Sequence, residues 1–141
     1  MNNIKLITKD EDIILFENKR EEVFGGNKKT DTIERTTFGK DIKEGELLAF
    51  GLYLDKKLIG GALTSVNKNT LFINRLFIDK KNRSKGYGSL LLKYIENRKS
   101  LFEDYYCTEI NEILAEPIQS SLNLFYKNEY DFCGDKVYKM I

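Results

Sequence analysis

The chain has 141 residues, 41% of them hydrophobic, and its 23 basic and 22 acidic side chains leave a net charge of +1. This amounts to a single domain, 1–141, with enough apolar content to bury a core. The charge balance gives no reason to expect wholesale disorder, a nucleic-acid partner or a membrane surface. No run of 18 apolar residues occurs, and the N-terminus lacks the apolar centre of a signal peptide, so a cytoplasmic location is expected.

In chain order, residues 3–8 alternate as a short strand. Residues 10–24 carry Ile13, Ile14, Phe16, Val23 and Phe24 at roughly helical spacing, with Asp10 as the expected cap and Gly25-Gly26 as the stop. The polar stretch 30–45 has a helix start near Thr30. Two apolar runs, 46–54 and 58–66, flank Asp55-Lys56-Lys57 and predict a β-hairpin. After the turn Asn67-Lys68-Asn69, residues 70–78 (TLFINRLFI) form a third strand suited to cover on both faces. The period then changes. Leu91, Tyr94, Ile95, Leu101 and Phe102 share one stripe, which predicts a helix over 86–102. A strand over 108–116, a helix over 118–128 and two short strands, 130–133 and 136–140, complete the reading.

Histidine is absent, which removes Ser-His-Asp and Cys-His catalysis and His-ligated zinc; no metal site is expected. Proton transfer must then use a carboxylate, tyrosine, lysine, cysteine or water. Cys107 and Cys133 show no C-x-x-C spacing and are read as free thiols.

The chemistry concentrates where strand 70–78 meets helix 86–102. Between them lies Lys80-Lys81-Asn82-Arg83-Ser84-Lys85-Gly86-Tyr87-Gly88. A helix N-terminus carries unpaired N–H groups and a dipole that favours negative charge. Glycines at 86 and 88 allow close approach to the backbone, and the basic side chains add positive charge. The junction therefore suits a phosphate or diphosphate. It is neither a Walker A loop nor a G-x-G-x-x-G fingerprint, because Gly88 is followed by Ser89, Leu90 and Leu91. Arg75, within an apolar strand, faces either a carboxylate across the sheet or the substrate cleft.

Arg83-Ser84-Lys85-Gly86-Tyr87-Gly88 resembles the R/Q-x-x-G-x-G/A signature of the GNAT superfamily of acetyl-CoA-dependent N-acetyltransferases, and the order of elements resembles that family along essentially the whole chain. The resemblance implies an α/β fold with a mixed, mostly antiparallel sheet flanked by helices on both faces. It also implies acetyl transfer from acetyl-CoA to a primary amine by direct attack. Backbone groups around Arg83, Ser84, Lys85, Gly86, Tyr87, Gly88 and Ser89 would hold the diphosphate. The pantetheine arm would lie where strands 70–78 and 108–116 splay, and an N–H near Phe77 or Ile78 would polarise the thioester carbonyl. Homodimers are frequent in such a family. The segment Ser121-Leu122-Asn123-Leu124-Phe125-Tyr126 resembles the family's late helix, which makes Tyr126 the expected acid for the leaving thiolate.

The chain departs from the family pattern in three places. Gln119 stands where an Asn usually opens the late helix. No Gly-Phe follows Tyr126. The strand 70–78 carries no carboxylate, so the base falls to Glu112 or Glu116, Glu116 being preferred, or to a chain of water. These departures keep a second reading open: a non-catalytic acyl-CoA sensor on the same fold.

Overall fold

The computed structural model describes residues 2–118 and 121–141. Strand β1 (Asn2–Leu6) leads into helix α1 (Asp10–Val23). The expected cap shifts by one residue: Lys9 takes the N-cap position without a side-chain bond, and Asp10, Glu11 and Asp12 fill the first turn. There they favourably oppose the positive end of the helix dipole. The helix expected from Thr30 is instead a 3-10 turn, Ile33–Arg35, followed by a short helix α2 (Gly39–Lys43). Thr36 explains the interruption. Its hydroxyl donates to the Ile33 carbonyl at 2.6 Å and accepts from the Gly39 N–H at 2.8 Å, replacing bonds that a continuous helix would make.

Strands β2 (Leu48–Leu54), β3 (Lys57–Asn67) and β4 (Thr70–Ile78) form the expected antiparallel meander. Asp55 and Lys56 both have positive φ, the turn geometry that matches the twist of a hairpin. The helix expected over 86–102 is broken into α3 (Tyr87–Glu96) and α4 (Lys99–Tyr106) at Asn97 and Arg98. After the break, α4 still places Phe102 fully in the core, and it sends Tyr105 Oη to the Gly45 carbonyl at 3.2 Å. Strand β5 is only Glu112–Ala115. The residues before it bond elsewhere: Ile110 N–H donates to the Glu103 carboxylate and Asn111 N–H to the Asn69 carbonyl. Pro117, two residues past its end, has no N–H to extend the ladder. Helix α5 (Leu122–Lys127) and strands β6 (Asp131–Cys133) and β7 (Lys136–Met140) complete the chain. The expected helix start at 118 runs through 119–120, which lie outside the described residues, as does the expectation for Gln119.

The strands form one sheet in the order β1-β2-β3-β4-β5-β7-β6, and β4–β5 is its parallel pair. Successive residues of β2 point to opposite faces, as strand geometry requires. Ala49 joins Ile13 and Phe16 of α1 and Ile42 of α2 on one face. Phe50 joins Leu92 and Ile95 of α3 and Phe102 of α4 on the other. The fold is the mixed α/β arrangement read from the sequence, with helices on both faces. Cys107 and Cys133 are exposed free thiols. Among the described residues no helix is long and apolar enough to cross a membrane.

Candidate functional site

Strands β4 and β5 pair only over residues 70–73 and Glu112–Ala115. Beyond that point they part, and the cause lies in β4. Ile73 faces Thr64 and Arg75 faces Leu63, so Asn74 is an extra residue without a partner in β3. Such a bulge bends its strand and increases the local twist. Asn74 fixes the bend by donating from Nδ2 to Ser65 Oγ at 3.0 Å.

The free stretch of β4 then offers backbone groups to the gap. Asp79 N–H donates to the Ile59 carbonyl at 2.6 Å. By the two-residue repeat of an antiparallel ladder, Phe77 also turns its N–H towards β3, whereas Leu76 and Ile78 turn theirs to the open side. Arg83 Nε reaches the Ile78 carbonyl from that side at 3.0 Å. Of the two N–H groups expected to face the cleft, Ile78 has the required direction and Phe77 does not. The Phe77 ring instead packs edge-on against Phe16 of α1 and also borders the gap.

The loop after β4 begins with a 3-10 turn, Lys80–Asn82, and ends at Gly86, the N-cap of α3. Ser84 and Gly86 have φ of 62° and 87°, and left-handed residues curl a backbone into a concavity of N–H groups. The first bond of the helix runs from Leu90 N–H to the Gly86 carbonyl at 3.0 Å. Among the described residues, the N–H groups of 84–89 have no acceptor.

A cavity of about 270 Å³ joins this loop to the gap beside β4, close to the lower end of ligand clefts, about 300 Å³. It brings together Phe77, Ile78, Arg83, Ser84, Gly86, Tyr87, Gly88 and Ser89; Lys85 stands outside its lining. The end of α1 contributes Val23 and Phe24. The opposite wall is a stripe of residues three apart: Ile118, Ser121, Leu124 and Lys127. Reading the last helix by this spacing, rather than by its tyrosine, would have found that wall from the sequence.

The two glycines serve different ends. Gly86 supplies the left-handed turn, and nothing lies within 4 Å of a β-carbon added there. Gly88 supplies room: an added β-carbon would sit 2.9 Å from Leu124 Cδ2. Gly88→Val is therefore expected to push α5 off α3, with a loss of about 1–3 kcal/mol in stability. Leu124→Ala in the same chain should relieve the clash. Denaturant titration of the single and double variants checks this, and equal destabilisation in both would exclude the contact as its cause.

The catalytic expectations are placed elsewhere. Tyr126 is 71% exposed and leans on Phe132 of β6 with ring centroids 6.0 Å apart. Two residues beyond Leu124, it is turned about 200° from the cavity wall. Phe125 points into the core and packs against Tyr130. The Glu116 side chain is 67% exposed and lies 3.6 Å from Lys136. Glu112 accepts from Thr70 Oγ1 at 3.0 Å, at the closed end of the β4–β5 pair. Arg75 is exposed; it donates to the Asn74 carbonyl and lies over the Phe38 ring at 5.5 Å.

Fixed polar contacts hold the loop on both sides. Asp79 pairs with Lys19 of α1 at 3.0 Å. Burial alone would raise the Asp79 carboxyl, but hydrogen bonding and attraction from Lys19, with a backbone bond from Lys81, bring it below its ordinary value. On the other side, Asn128 donates to Ser89 Oγ at 3.0 Å and to the Leu124 carbonyl at 2.8 Å, tying the first turn of α3 to the end of α5.

The fold and the sequence around this loop are shared with known proteins. The acetyltransferase (GNAT) family matches residues 14–127. A probable spermine N(1)-acetyltransferase of Bacillus subtilis subsp. natto is 33% identical over 101 residues, and a spermine/spermidine N(1)-acetyltransferase of Bacillus subtilis strain 168 is 32% identical. Each match takes in 62% of this chain, and the chain spans 65% of the length of these curated relatives. Among solved structures, an aminoglycoside acetyltransferase from an uncultured soil metagenomic sample, in complex with trehalose, superposes with a TM-score of 0.69 at 17% identity, over 91% of this chain and 87% of that one. The PaiA N-acetyltransferase of Thermoplasma acidophilum, in complex with coenzyme A, gives 0.63 at 18% identity, over 99% of both chains. With most of its length matched in sequence and its fold shared with these structures, the chain belongs to the GNAT acetyltransferase family.

Proposed function

We propose that this chain transfers an acetyl group from acetyl-CoA to a primary amine by direct attack. One observation carries the reading: Ser84, Gly86, Tyr87, Gly88 and Ser89, whose N–H groups are unpaired, line the same cavity as the unpaired edge of β4. An anionic diphosphate fits the loop, and a thin arm fits the gap beyond it. Acetyl-CoA supplies an activated thioester. The chain contributes position, by holding the arm against β4, and polarisation, through the Ile78 N–H. Gly86 leaves the loop open to a ligand at no steric cost. The acceptor class favoured by the relatives' names is a polyamine.

Calorimetric titration with acetyl-CoA and desulfo-CoA tests the site, with micromolar binding expected. Release of free thiol on adding spermine, spermidine and other amines tests the reaction. A second reading, an acyl-CoA sensor without turnover, is favoured by the placement of Tyr126 and Glu116 outside the cavity lining. Tight binding without thiol release from any amine would establish it.

The acid role of Tyr126 is separately testable. With the ring turned to solvent, Tyr126→Phe is expected to change kcat by less than about twofold, because an exposed hydroxyl far from the reacting atoms contributes little to proton transfer. A tenfold loss in kcat with unchanged affinity would reinstate the phenol, and would require α5 to turn when ligand binds.

A further inference from the structure

Asn128 is the C-cap of α5 and only 5% exposed. It stands behind the cavity lining and meets it through Ser89. Its carboxamide nitrogen makes two bonds, to the Leu124 carbonyl at 2.8 Å and to Ser89 Oγ at 3.0 Å. A carbonyl only accepts, so the first bond identifies the atom as nitrogen and makes it the donor in the second. Ser89 Oγ is therefore an acceptor towards Asn128, and its own proton points elsewhere. Serine in a helix often gives that proton to a carbonyl of the preceding turn. Ser89 makes no such bond: among the described residues, Asn128 is the one partner of its hydroxyl. Ser89 lines the cavity from the first turn of α3, so the proton is left for whatever the cavity holds.

The same residue is fixed from the sheet. Lys139 of β7 donates to the Asn128 carbonyl at 3.1 Å and to Glu96, at the far end of α3, at 3.2 Å. Tyr130 Oη donates to the other Glu96 oxygen at 3.0 Å. Asn128 is thus held by its carbonyl while its carboxamide holds Ser89, and α3 is anchored at both ends. A hydroxyl that already accepts a bond is a stronger donor, because successive bonds polarise one another. A fixed, polarised O–H at the positive end of a helix dipole suits an oxygen that carries negative charge. Resting on the reading of the cleft as a coenzyme A site, we propose that Asn128 is a positioning residue that turns Ser89 into a committed donor to a diphosphate oxygen.

The test is a double-mutant cycle of Asn128→Leu and Ser89→Ala, read by calorimetry with coenzyme A and with its phosphorylated ADP half, alongside thermal melting. Ser89→Ala should weaken both ligands at least about tenfold, and Asn128→Leu at least about fivefold. In the chain that already carries Ser89→Ala, Asn128→Leu should add less than about twofold, because no hydroxyl is left to orient. A merely structural role would not give that pattern, since it lowers affinity and melting temperature whether or not residue 89 carries a hydroxyl. An equal loss in both backgrounds overturns the proposal. So does unchanged affinity in either folded single variant, or a loss for coenzyme A that spares the nucleotide half. Should the leucine variant fail to fold, Asn128→Ala is read in the same cycle. Failure of the wild type to bind coenzyme A would reject the reading of the cleft itself, before Asn128 is in question.

Discussion

Gly86→Glu is expected to weaken acetyl-CoA binding by at least about a hundredfold, or ~2.7 kcal/mol. Two effects add. Gly86 has φ of 87°, a left-handed conformation that costs an L-residue about 1–2 kcal/mol. The glutamate also brings a carboxylate to the helix start, where it competes for the N–H groups of 84–89 and repels the diphosphate. Crowding is not involved, because nothing lies within 4 Å of the added β-carbon. That distinction supplies the control. Gly86→Asn tolerates left-handed φ and adds no charge, so it should lose less than about fivefold. Calorimetry reads both variants. Unchanged affinity in Gly86→Glu would remove the loop from the binding site.

Glu17→Ala is expected to cost about 3–5 kcal/mol in stability, the range for breaking a buried ion pair by removing one partner. Glu17 is 2% exposed and Arg20 6%. Arg20 Nε meets Glu17 Oε2 at 2.8 Å, and Glu17 Oε1 accepts the Phe38 N–H at 2.7 Å. The Arg20 guanidinium also lies over the Phe38 ring at 4.8 Å. Alanine would leave the buried Arg20 with Glu21 as its remaining carboxylate and leave the Phe38 N–H unsatisfied. This one carboxylate thus pins the entry to α2 against α1. Replacing both Glu17 and Arg20 by leucine should cost far less, because it removes both charges together. Urea denaturation of the two variants decides the point. A loss below about 1 kcal/mol in Glu17→Ala would mean that water replaces the carboxylate and α2 is held by apolar contacts.

Local chemistry explains which parts of this fold could be read from the sequence. The run TLFINRLFI states its strand, the hairpin turn at Asp55-Lys56 lies between two apolar runs, and Gly86 marks the helix start. The break between α3 and α4 was hidden because Leu91, Ile95 and Phe102 all reach the core on either side of it, so the apolar stripe passes through unchanged. The bulge at Asn74 depends on how β4 pairs with β3, which no single strand records. Tyr126 is singled out by the resemblance of its segment to the family's late helix, whereas the direction of a helical side chain follows from position. Leu124 and Lys127 share the inward face, and the tyrosine lies between them in sequence but away from them in space. Asn128 was visible only as the last residue of an expected helix; its burial and its bond to Ser89 are properties of the folded chain.

The parallel pairing of β4 with β5 also bears on how the chain folds. Strands β2, β3 and β4 join through short turns, so their contacts are local and carry a small loop-closure cost. Joining Ile73 to Ala115 closes a much longer loop, and such distant contacts slow folding. The cavity lies across that seam, with the loop and β4 on one side and the α5 stripe on the other. Late completion during folding is the expected consequence, to be checked by hydrogen exchange at β4 and α5. A ligand spanning the seam would act as a kinetic clasp, slowing unfolding more than it speeds folding.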